Sequence, residues 1–433
     1  MLDRSITPKI STFTDLKFNY PSFVTLSNGV KLYVLNNGDQ EVNRFEVMYR
    51  GGLFEETKPL QSFALASMLV HGSKEYQSHD VAEILDYNGS QFAATNYDNF
   101  THISLNSLNK NFNVVLPVLK SILNAPSIPE REYKVLCSQV KSAYQTARQR
   151  VKYLAQMSGR KLYFGDKHPF SHMICDEDVD NLTIEDVKSF HQKYYKPENC
   201  IMVLSGKVCD KEIALIDNYF GQETSTGCIS DFVECDRQPS TIRNIVVNKE
   251  GALQSSVYMM HEAVPRNHPD YIALRILVTA LGGYFGSRLM QNIREDKGYT
   301  YGINAMLVGR RSGSKIVITS ECDTAYTYLL INEVNKEIKK LQDTLIEDEE
   351  LDVVKNYMLS DLAKTLDSPF SMASCISSNV LFSTGKDYFN KQVEVITKIT
   401  AKDLQEVANK YLDVNNFYVS IAGDEKQLKL YSK

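Results

Sequence analysis

The sequence predicts an α+β protein built from two similar domains, and three observations support this prediction. A segment of the first half recurs in the second half, short strand-like segments are mixed with amphipathic helices, and a polar segment separates the halves. The strands and helices do not alternate strictly, as they would in a parallel βαβ protein. We therefore expect two α+β domains rather than one doubly wound sheet.

The internal repeat relates residues 182–206 to residues 399–423 without a gap. The two copies read LTIEDVKSFHQKYYKPENCIMVLSG and ITAKDLQEVANKYLDVNNFYVSIAG. Each copy is typical of an N-cap threonine (Thr183 and Thr400), an amphipathic helix, a turn and an apolar strand. Two domains of similar fold, each about half of the chain, follow from this repeat.

The remaining elements extend the two-domain prediction. Long helices are predicted over residues 130–158 and 346–365, each followed by a second helical stretch that ends near an aromatic residue and a glycine. Short β-branched or aromatic segments predict strands at residues 30–36, 44–50, 92–105, 244–249, 254–261, 301–308 and 315–320. Residues 223–240 are polar and rich in turn formers, which predicts a linker between domains 1–222 and 241–433.

Composition excludes several classes of protein. The net charge of -5 gives no basic footprint for nucleic acid. No apolar run approaches the ~18–20 residues that span a bilayer, and the N-terminal segment lacks the apolar core of a signal peptide. We therefore expect a cytoplasmic protein with no membrane contact. The eight cysteines form no CxxC pair, which favours free thiols in a reducing compartment.

Three segments carry a resemblance to one family. They are residues 28–35 (NGVKLYVL), residues 182–206, and residues 268–301 (HPDYIALRILVTALGGYFGSRLMQNIREDKGYTY). Together they resemble the M16 (pitrilysin-like) zinc metallopeptidases over nearly the whole chain. The resemblance implies two α/β sandwich domains, each an antiparallel-rich sheet packed with helices, that form half of a clamshell.

Active members of that family carry an HxxEH motif on a helix of the first domain. Histidines at i and i+4 lie on one helix face and hold zinc, the glutamate acts as general base, and a distal glutamate is the third ligand. Counting back from Gly72-Ser73 places this motif on Phe63, Ala66 and Ser67, with the distal ligand position at Gln139. We therefore expect no metal or other cofactor in this chain, and zinc in a partner chain.

The candidate ligands of a relocated metal site are His71, Glu75 and His79, which are spaced by four residues. These side chains would share a face only if one helix ran through all three positions. Gly72-Ser73 predicts the end of the first helix and Ser78 predicts the N-cap of the next. Solvated surface positions are therefore the expectation for the three residues.

Two further features of the family pattern bear on function. Arg294 and Tyr301 match a pair that, in active members, faces the zinc across the clamshell and donates hydrogen bonds to the peptide carbonyl and its oxyanion. The stretch Phe92-Ala93-Ala94-Thr95 matches a sheet edge to which peptide substrates add as a strand, although Phe92 replaces the usual Asn.

The resemblance therefore implies the non-catalytic subunit of a heterodimeric zinc endopeptidase, which closes the chamber and supplies Arg294 and Tyr301 to a partner's zinc site. Its partner would be a sister chain with an intact HxxEH motif, and its substrates would be peptides. The alternatives are a catalytically inactive homodimer that binds peptides or acts as a scaffold, and an enzyme with a relocated active site. The sequence leaves these three readings open.

Overall fold

The computed structural model describes residues 16–18, 20–21, 23–225, 233–310 and 313–431. The N-terminal segment discussed above and the middle of the predicted linker lie outside these residues. The strands are β1 (Phe23–Thr25), β2 (Lys31–Asn36), β3 (Val42–Arg50), β4 (Gln91–Asn96), β5 (Phe100–Leu108), β6 (Cys200–Gly206), β7 (Asn244–Asn248), β8 (Gln254–Ala263), β9 (Thr300–Val308), β10 (Ser314–Asp323) and β11 (Tyr418–Gly423).

The helices of the first half are α1 (Gln61–Met68), α2 (Ser78–Tyr87), α3 (Phe112–Asn124), α4 (Glu130–Ala147), α5 (Val151–Phe164), α6 (Asp176–Asn181), α7 (Ile184–Tyr194) and α8 (Asp210–Phe220). Those of the second half are α9 (Tyr271–Val278), α10 (Thr327–Asp343), α11 (Asp348–Thr365), α12 (Pro369–Phe382), α13 (Tyr388–Lys398), α14 (Ala401–Tyr411) and α15 (Glu425–Leu430). Two π-helical segments, Thr279–Gly283 and Met290–Asp296, follow α9.

The strands form two mixed sheets that share a five-strand order, and β1 is an additional edge strand of the first sheet. The first sheet has the order β1-β2-β6-β3-β5-β4, and the second has the order β7-β11-β8-β10-β9. β6 runs parallel to β2 and antiparallel to β3, while β11 runs parallel to β7 and antiparallel to β8. The repeated strand therefore takes the same place in each sheet, which confirms the α+β fold of two similar, helix-packed sheets.

The repeated helices begin with the same cap. The hydroxyl of Thr183 accepts a hydrogen bond from the amide of Asp186, and the Asp186 carboxylate accepts one from the amide of Thr183. Thr400 and Asp403 make the equivalent pair at the start of α14. This reciprocal arrangement satisfies two of the amides that have no partner within the helix. The predicted N-caps are therefore confirmed.

The two halves exchange one helix each. α5 belongs to the first half but packs on β8 and β11 of the second sheet, whereas α12 belongs to the second half and packs on β6 and β2 of the first sheet. Small residues allow the close approach of α5, since a Cβ at Gly159 would lie 2.6 Å from the ring of Tyr258. The division of the chain at residues 223–240 stays a prediction. Each sheet packs against one helix from the other half of the chain.

Three local predictions are wrong. The helix predicted over residues 130–158 is broken at 148–150, where α4 ends and α5 begins in a new direction toward the second sheet. The strand predicted at residues 92–105 is a hairpin of β4 and β5, closed by a hydrogen bond from the amide of Tyr97 to the carbonyl of Phe100. Ser78 is the first residue of α2 rather than its cap, which is Gln77.

Two findings concern the described ranges as a whole. No helix in them is both long enough and apolar enough to cross a bilayer. The seven cysteines that fall within them are all free thiols, in agreement with the prediction.

Candidate functional site

The helix predicted to carry the metal motif is present as α1. It begins after Leu60, whose amide donates to the Glu56 carboxylate, and the amide and hydroxyl of Ser62 donate to the same carboxylate at 2.8 and 2.6 Å. A carboxylate at this end satisfies free amides and complements the helix dipole. The helix ends at Met68, and a 3-10 turn then leads to Gly72, whose φ of 96° favours glycine.

The four motif positions lie on two helices that pack against each other. Phe63, Ala66 and Ser67 are on α1, and Gln139 is on α4. Ala66 is buried, Phe63 and Ser67 are half-buried, and Gln139 is exposed. Zinc needs nitrogen, sulfur or carboxylate ligands, and these four side chains offer a phenyl ring, a methyl group, a hydroxyl and an amide. The residues at these positions therefore do not fit the family's metal.

The wider surroundings do not supply replacement ligands. Across the residues that the structure describes, no group of three or more His, Cys, Asp or Glu side chains is placed to hold a metal ion. His71 closes the 3-10 turn after α1, whereas His79 lies on α2 beyond the Gly72 turn. His71, Glu75 and His79 therefore do not lie on one helix face, which agrees with the prediction.

A cavity of about 770 Å³ lies over the first motif position. Phe63 lines it together with the start of α1, the β4–β5 turn and the facing residues Tyr144, Tyr153 and Arg160 of α4 and α5. We call it the motif cavity. It combines aromatic walls with a few polar groups, which is the usual character of a small-molecule or peptide site.

Glu56 and His168 both line the motif cavity, and burial strongly shifts the pKa of each. Burial raises the pKa of Glu56 to about 7, although its hydrogen bonds with Ser62 and Leu60 act in the opposite direction. A carboxyl group with this pKa can both release and accept a proton near neutral pH. In this structure the Glu56 carboxylate oxygens accept hydrogen bonds from the amides of Leu60 and Ser62 at the start of α1, so Glu56 caps that helix.

The predicted peptide-binding stretch lies on an edge strand. Phe92, Ala93, Ala94 and Thr95 belong to β4, which pairs with β5 at one end of the first sheet. Phe92 and Ala94 pack against the core, while Ala93 and Thr95 are exposed. An edge strand offers unpaired main-chain donors and acceptors to an incoming extended peptide. β4 therefore has the position that strand addition requires.

Arg294 and Tyr301 lie on adjoining elements of the second half. Arg294 is in the π-helical segment Met290–Asp296, with its guanidinium 4.5 Å from the ring centre of Phe285 and 3.1 Å from a carboxylate oxygen of Glu295. Tyr301 is on β9, the edge strand of the second sheet, and its side chain is 94% exposed. Tyr301 also borders a cavity of about 680 Å³ between β9 and α5.

Sequence reasoning missed two groups, Glu56 and Lys315. Glu56 follows another glutamate in a polar stretch, and its only local signal is its place shortly before an apolar helix. Lys315 lies in an apolar strand, where it is 6% exposed. Its burial results from α5, which comes from the other half of the chain, so no local pattern could have found it.

The comparisons with known proteins point to one family. The family model described as the peptidase M16 inactive domain matches residues 181–358. The "Uncharacterized zinc protease YmxG" of Bacillus subtilis (strain 168) is 22% identical over 390 residues, which cover 88% of this chain and 93% of that protein.

Two relatives come from Helicobacter pylori (strain ATCC 700392 / 26695). The "Zinc protease PqqE" is 21% identical over 407 residues, covering 90% of this chain and 89% of that protein. The "Non-peptidase homolog YmxG" is 19% identical over 391 residues, covering 88% of this chain and 89% of that protein.

Solved structures share the fold. The crystal structure of a peptidase M16 inactive domain from Pseudomonas fluorescens has a TM-score of 0.82 at 18% identity, covering 93% of this chain and 98% of that one. The periplasmic protease PqqL from Escherichia coli has a TM-score of 0.79 at 17% identity. That match covers 98% of this chain but 48% of PqqL, so this chain corresponds in fold to about half of it.

Proposed function

Because the chain belongs to the peptidase M16 family, we propose that it is the non-catalytic subunit of a heterodimeric M16 zinc endopeptidase. In this proposal it closes the peptide-degrading chamber, and Arg294 and Tyr301 act at the zinc site of a partner chain. One observation carries the proposal: the predicted motif helices α1 and α4 are present and in contact, yet Phe63, Ala66, Ser67 and Gln139 do not provide the ligand set of a zinc peptidase.

The chemistry explains why this chain needs a partner for hydrolysis. A zinc peptidase holds the metal with three protein ligands, and a carboxylate takes a proton from the metal-bound water. Here Ala66 replaces that carboxylate, and Phe63 and Ser67 replace the two histidines. The zinc and its water would belong to the partner, whose family pattern contains an intact HxxEH motif.

Arg294 and Tyr301 are suited to act on a peptide held by another chain. A guanidinium offers several donors in a fixed plane to a peptide carbonyl, and a phenol can donate to an oxyanion as negative charge develops. Tyr301 is 94% exposed on an edge strand, which leaves its hydroxyl accessible to a docked partner. The segment that carries Arg294 packs against β9, and the guanidinium lies over the ring of Phe285.

The relatives support a division of labour between chains. Helicobacter pylori has one relative named a zinc protease and another named a non-peptidase homolog, each matching most of this chain. The match to half of PqqL supports a chamber built from two such halves. We further propose that peptides add to the β4 edge at Phe92–Thr95, and that the complex is cytoplasmic.

The first experiment identifies what accompanies the chain. The tagged protein is purified from its native cell and its stoichiometric companions are identified by mass spectrometry. We expect a sister chain of similar length with an intact HxxEH motif, and peptidase activity that requires both chains and is abolished by a metal chelator. Recovery of a tight homodimer alone would favour the peptide-binding or scaffolding alternative, and activity in the pure single chain would favour a relocated active site.

The second experiment tests the two residues within that complex. Arg294→Ala and Tyr301→Phe should each lower kcat by roughly 10²–10³, the usual cost of one lost oxyanion donor. Tyr87→Phe on α2 is the control for Tyr301, because the two residues are 90% and 94% exposed. Arg148→Ala is the control for Arg294, because both side chains form an ion pair and are 27% and 30% exposed. Unchanged kcat for both test variants, with the partner still bound, would refute the assigned role.

A further inference from the structure

A third cavity, of about 480 Å³, lies where the two halves of the chain meet. Residues 234–237 of the predicted linker border it, together with the segment after α5, the start of β10, the end of α12, and β3 and β5. We call it the linker cavity. It is separate from the motif positions, since Phe63, Ala66, Ser67 and Gln139 do not line it.

Lys315 places a buried amine in this cavity. It is 6% exposed, and its Nζ lies 4.3 Å from the ring centre of Phe164 and 5.2 Å from that of Phe170. In the parts of the chain that the structure describes, no carboxylate oxygen lies within 4.0 Å of this nitrogen. Buried lysines are normally paired, because removing an ammonium group from water is costly.

Charged side chains near Lys315 already form ion pairs with one another. Arg310 pairs with Asp98, and Arg237 pairs with Glu262 at 2.5 Å. The remaining buried carboxylate, Glu46, lies 2.9 Å from a ring nitrogen of His102. Glu234 and Asp236 also border the cavity, but they are exposed on the linker. Among the described residues, Lys315 is therefore the buried basic side chain of this cavity that lacks a carboxylate partner.

Unused hydrogen-bond donors lie beside Lys315. Within the described ranges, Nε of Arg310 and Nη1 of Arg237 are buried without a hydrogen-bond acceptor. Oε2 of Glu46 is a buried acceptor that also has no partner there. Buried polar atoms are rarely left unsatisfied, so these donors and the Lys315 amine call for an acceptor that the described residues do not supply. A bound carboxylate would supply both the charge and the oxygens.

The walls of the linker cavity define the rest of the ligand. Phe54, Phe100, Phe164 and Phe170 line it, and its volume is within the range of roughly 300–1,000 Å³ that small-molecule sites occupy. Burial, followed by the positive charges of Arg310 and Arg160, lowers the pKa of Lys315 to about 6. A carboxylate beside the amine would favour its protonated form, so the cost of burying this lysine falls when the ligand binds.

We propose that the linker cavity binds a carboxylate attached to an aromatic or apolar body, with Lys315 as its counter-ion. The ligand is either a small organic acid or the C terminus of a peptide that ends in an apolar residue. This site does not depend on the proposed partner chain, because all of its residues belong to this one.

Fluorine NMR of the full chain with para-trifluoromethyl benzoate, and with the uncharged para-trifluoromethyl benzamide, tests the charge requirement. The benzoate should bind at least tenfold more tightly than the benzamide. Lys315→Met preserves the volume of the side chain and should remove this preference, whereas Lys152→Met, at an exposed position of α5, should not. Circular dichroism of each variant reports whether it is folded.

A second pair of probes distinguishes the two sources of the carboxylate. The tripeptide Ala-Ala-Phe is compared with its C-terminal amide by calorimetry on the same proteins. Tighter binding of the free acid, lost in Lys315→Met, identifies a peptide C terminus, and binding of the benzoate alone identifies a small organic acid. Equal binding of charged and uncharged probes, unchanged binding in Lys315→Met, or no binding of either acid at millimolar concentration would overturn the proposal.

Discussion

Gly159 tests the exchange of helices between the two halves. It lies within α5, where a Cβ would be 2.6 Å from Cδ1 of Tyr258 and 3.4 Å from Cβ of Ser420. In an isolated helix Gly→Ala stabilises by about 1 kcal/mol, because glycine loses more backbone entropy on folding. Here the new methyl group must displace a buried ring, and overpacking of this kind costs about 1–3 kcal/mol.

The clash should outweigh the gain in helix propensity, so we expect Gly159→Ala to lower the free energy of unfolding by about 1 kcal/mol. The chain has no tryptophan, so urea unfolding is followed by circular dichroism. Ser158→Ala on the same helix is the control for propensity. In a Tyr258→Leu background, Gly159→Ala should instead raise the free energy of unfolding, because the ring that the new methyl group would contact is absent. A stabilised Gly159→Ala single variant would refute the packing of α5 on the second sheet.

Three further predictions follow from the fold and its caps. A fragment of residues 1–222 lacks α12, so its first sheet should expose apolar surface and bind an aromatic dye. A fragment that is monomeric and unfolds cooperatively would contradict the exchange of helices. Thr183→Ala and Thr400→Ala should each cost about 1 kcal/mol in urea unfolding and add in the double variant; a cost from only one of them would show that the caps are not equivalent. Because burial raises the pKa of Glu56 from 4.5 to about 7, folding holds its proton more tightly, and the stability from this group is present below pH 4.5 and lost as pH rises to 7. Relative to Glu56→Gln, the wild type should therefore lose on the order of 3 kcal/mol across that interval, and parallel pH profiles would contradict this reasoning.

The repeated elements could be predicted because their signals are local. The pairs Thr183–Asp186 and Thr400–Asp403 indicate the N-termini of two helices, and the apolar segments that follow these helices form β6 and β11. The turn at residues 97–99 contains the turn formers Asp98 and Asn99, but strand-like residues continue on both sides of it. Those flanking residues alone predict one continuous strand.

The placement of α5 and α12 could not be predicted. An apolar helix face indicates that a helix is buried, but it does not indicate which sheet buries it. The break before α5 contains Arg148, Gln149 and Arg150, with neither glycine nor proline to mark it. That break redirects α5 onto the second sheet, and the same redirection buries Lys315. The burial of Lys315 and the helix break at residues 148–150 therefore have one physical cause, the packing of α5 on the second sheet.

The predicted motif positions Phe63, Ala66 and Ser67 lie on α1, and the surroundings of that helix explain how it forms without metal. Ala66 is 4% exposed, so a glutamate there would be an unpaired buried charge unless a metal and its water were beside it. Alanine at this position removes that cost and has the highest helix propensity. The Glu56 cap and the Gly72 turn fix the two ends of the helix independently of the motif. If α1 is the helix that holds zinc in active relatives, as we propose, then its ends are fixed without the metal, and loss of the ligands need not alter the surfaces that carry Arg294, Tyr301 and the β4 edge.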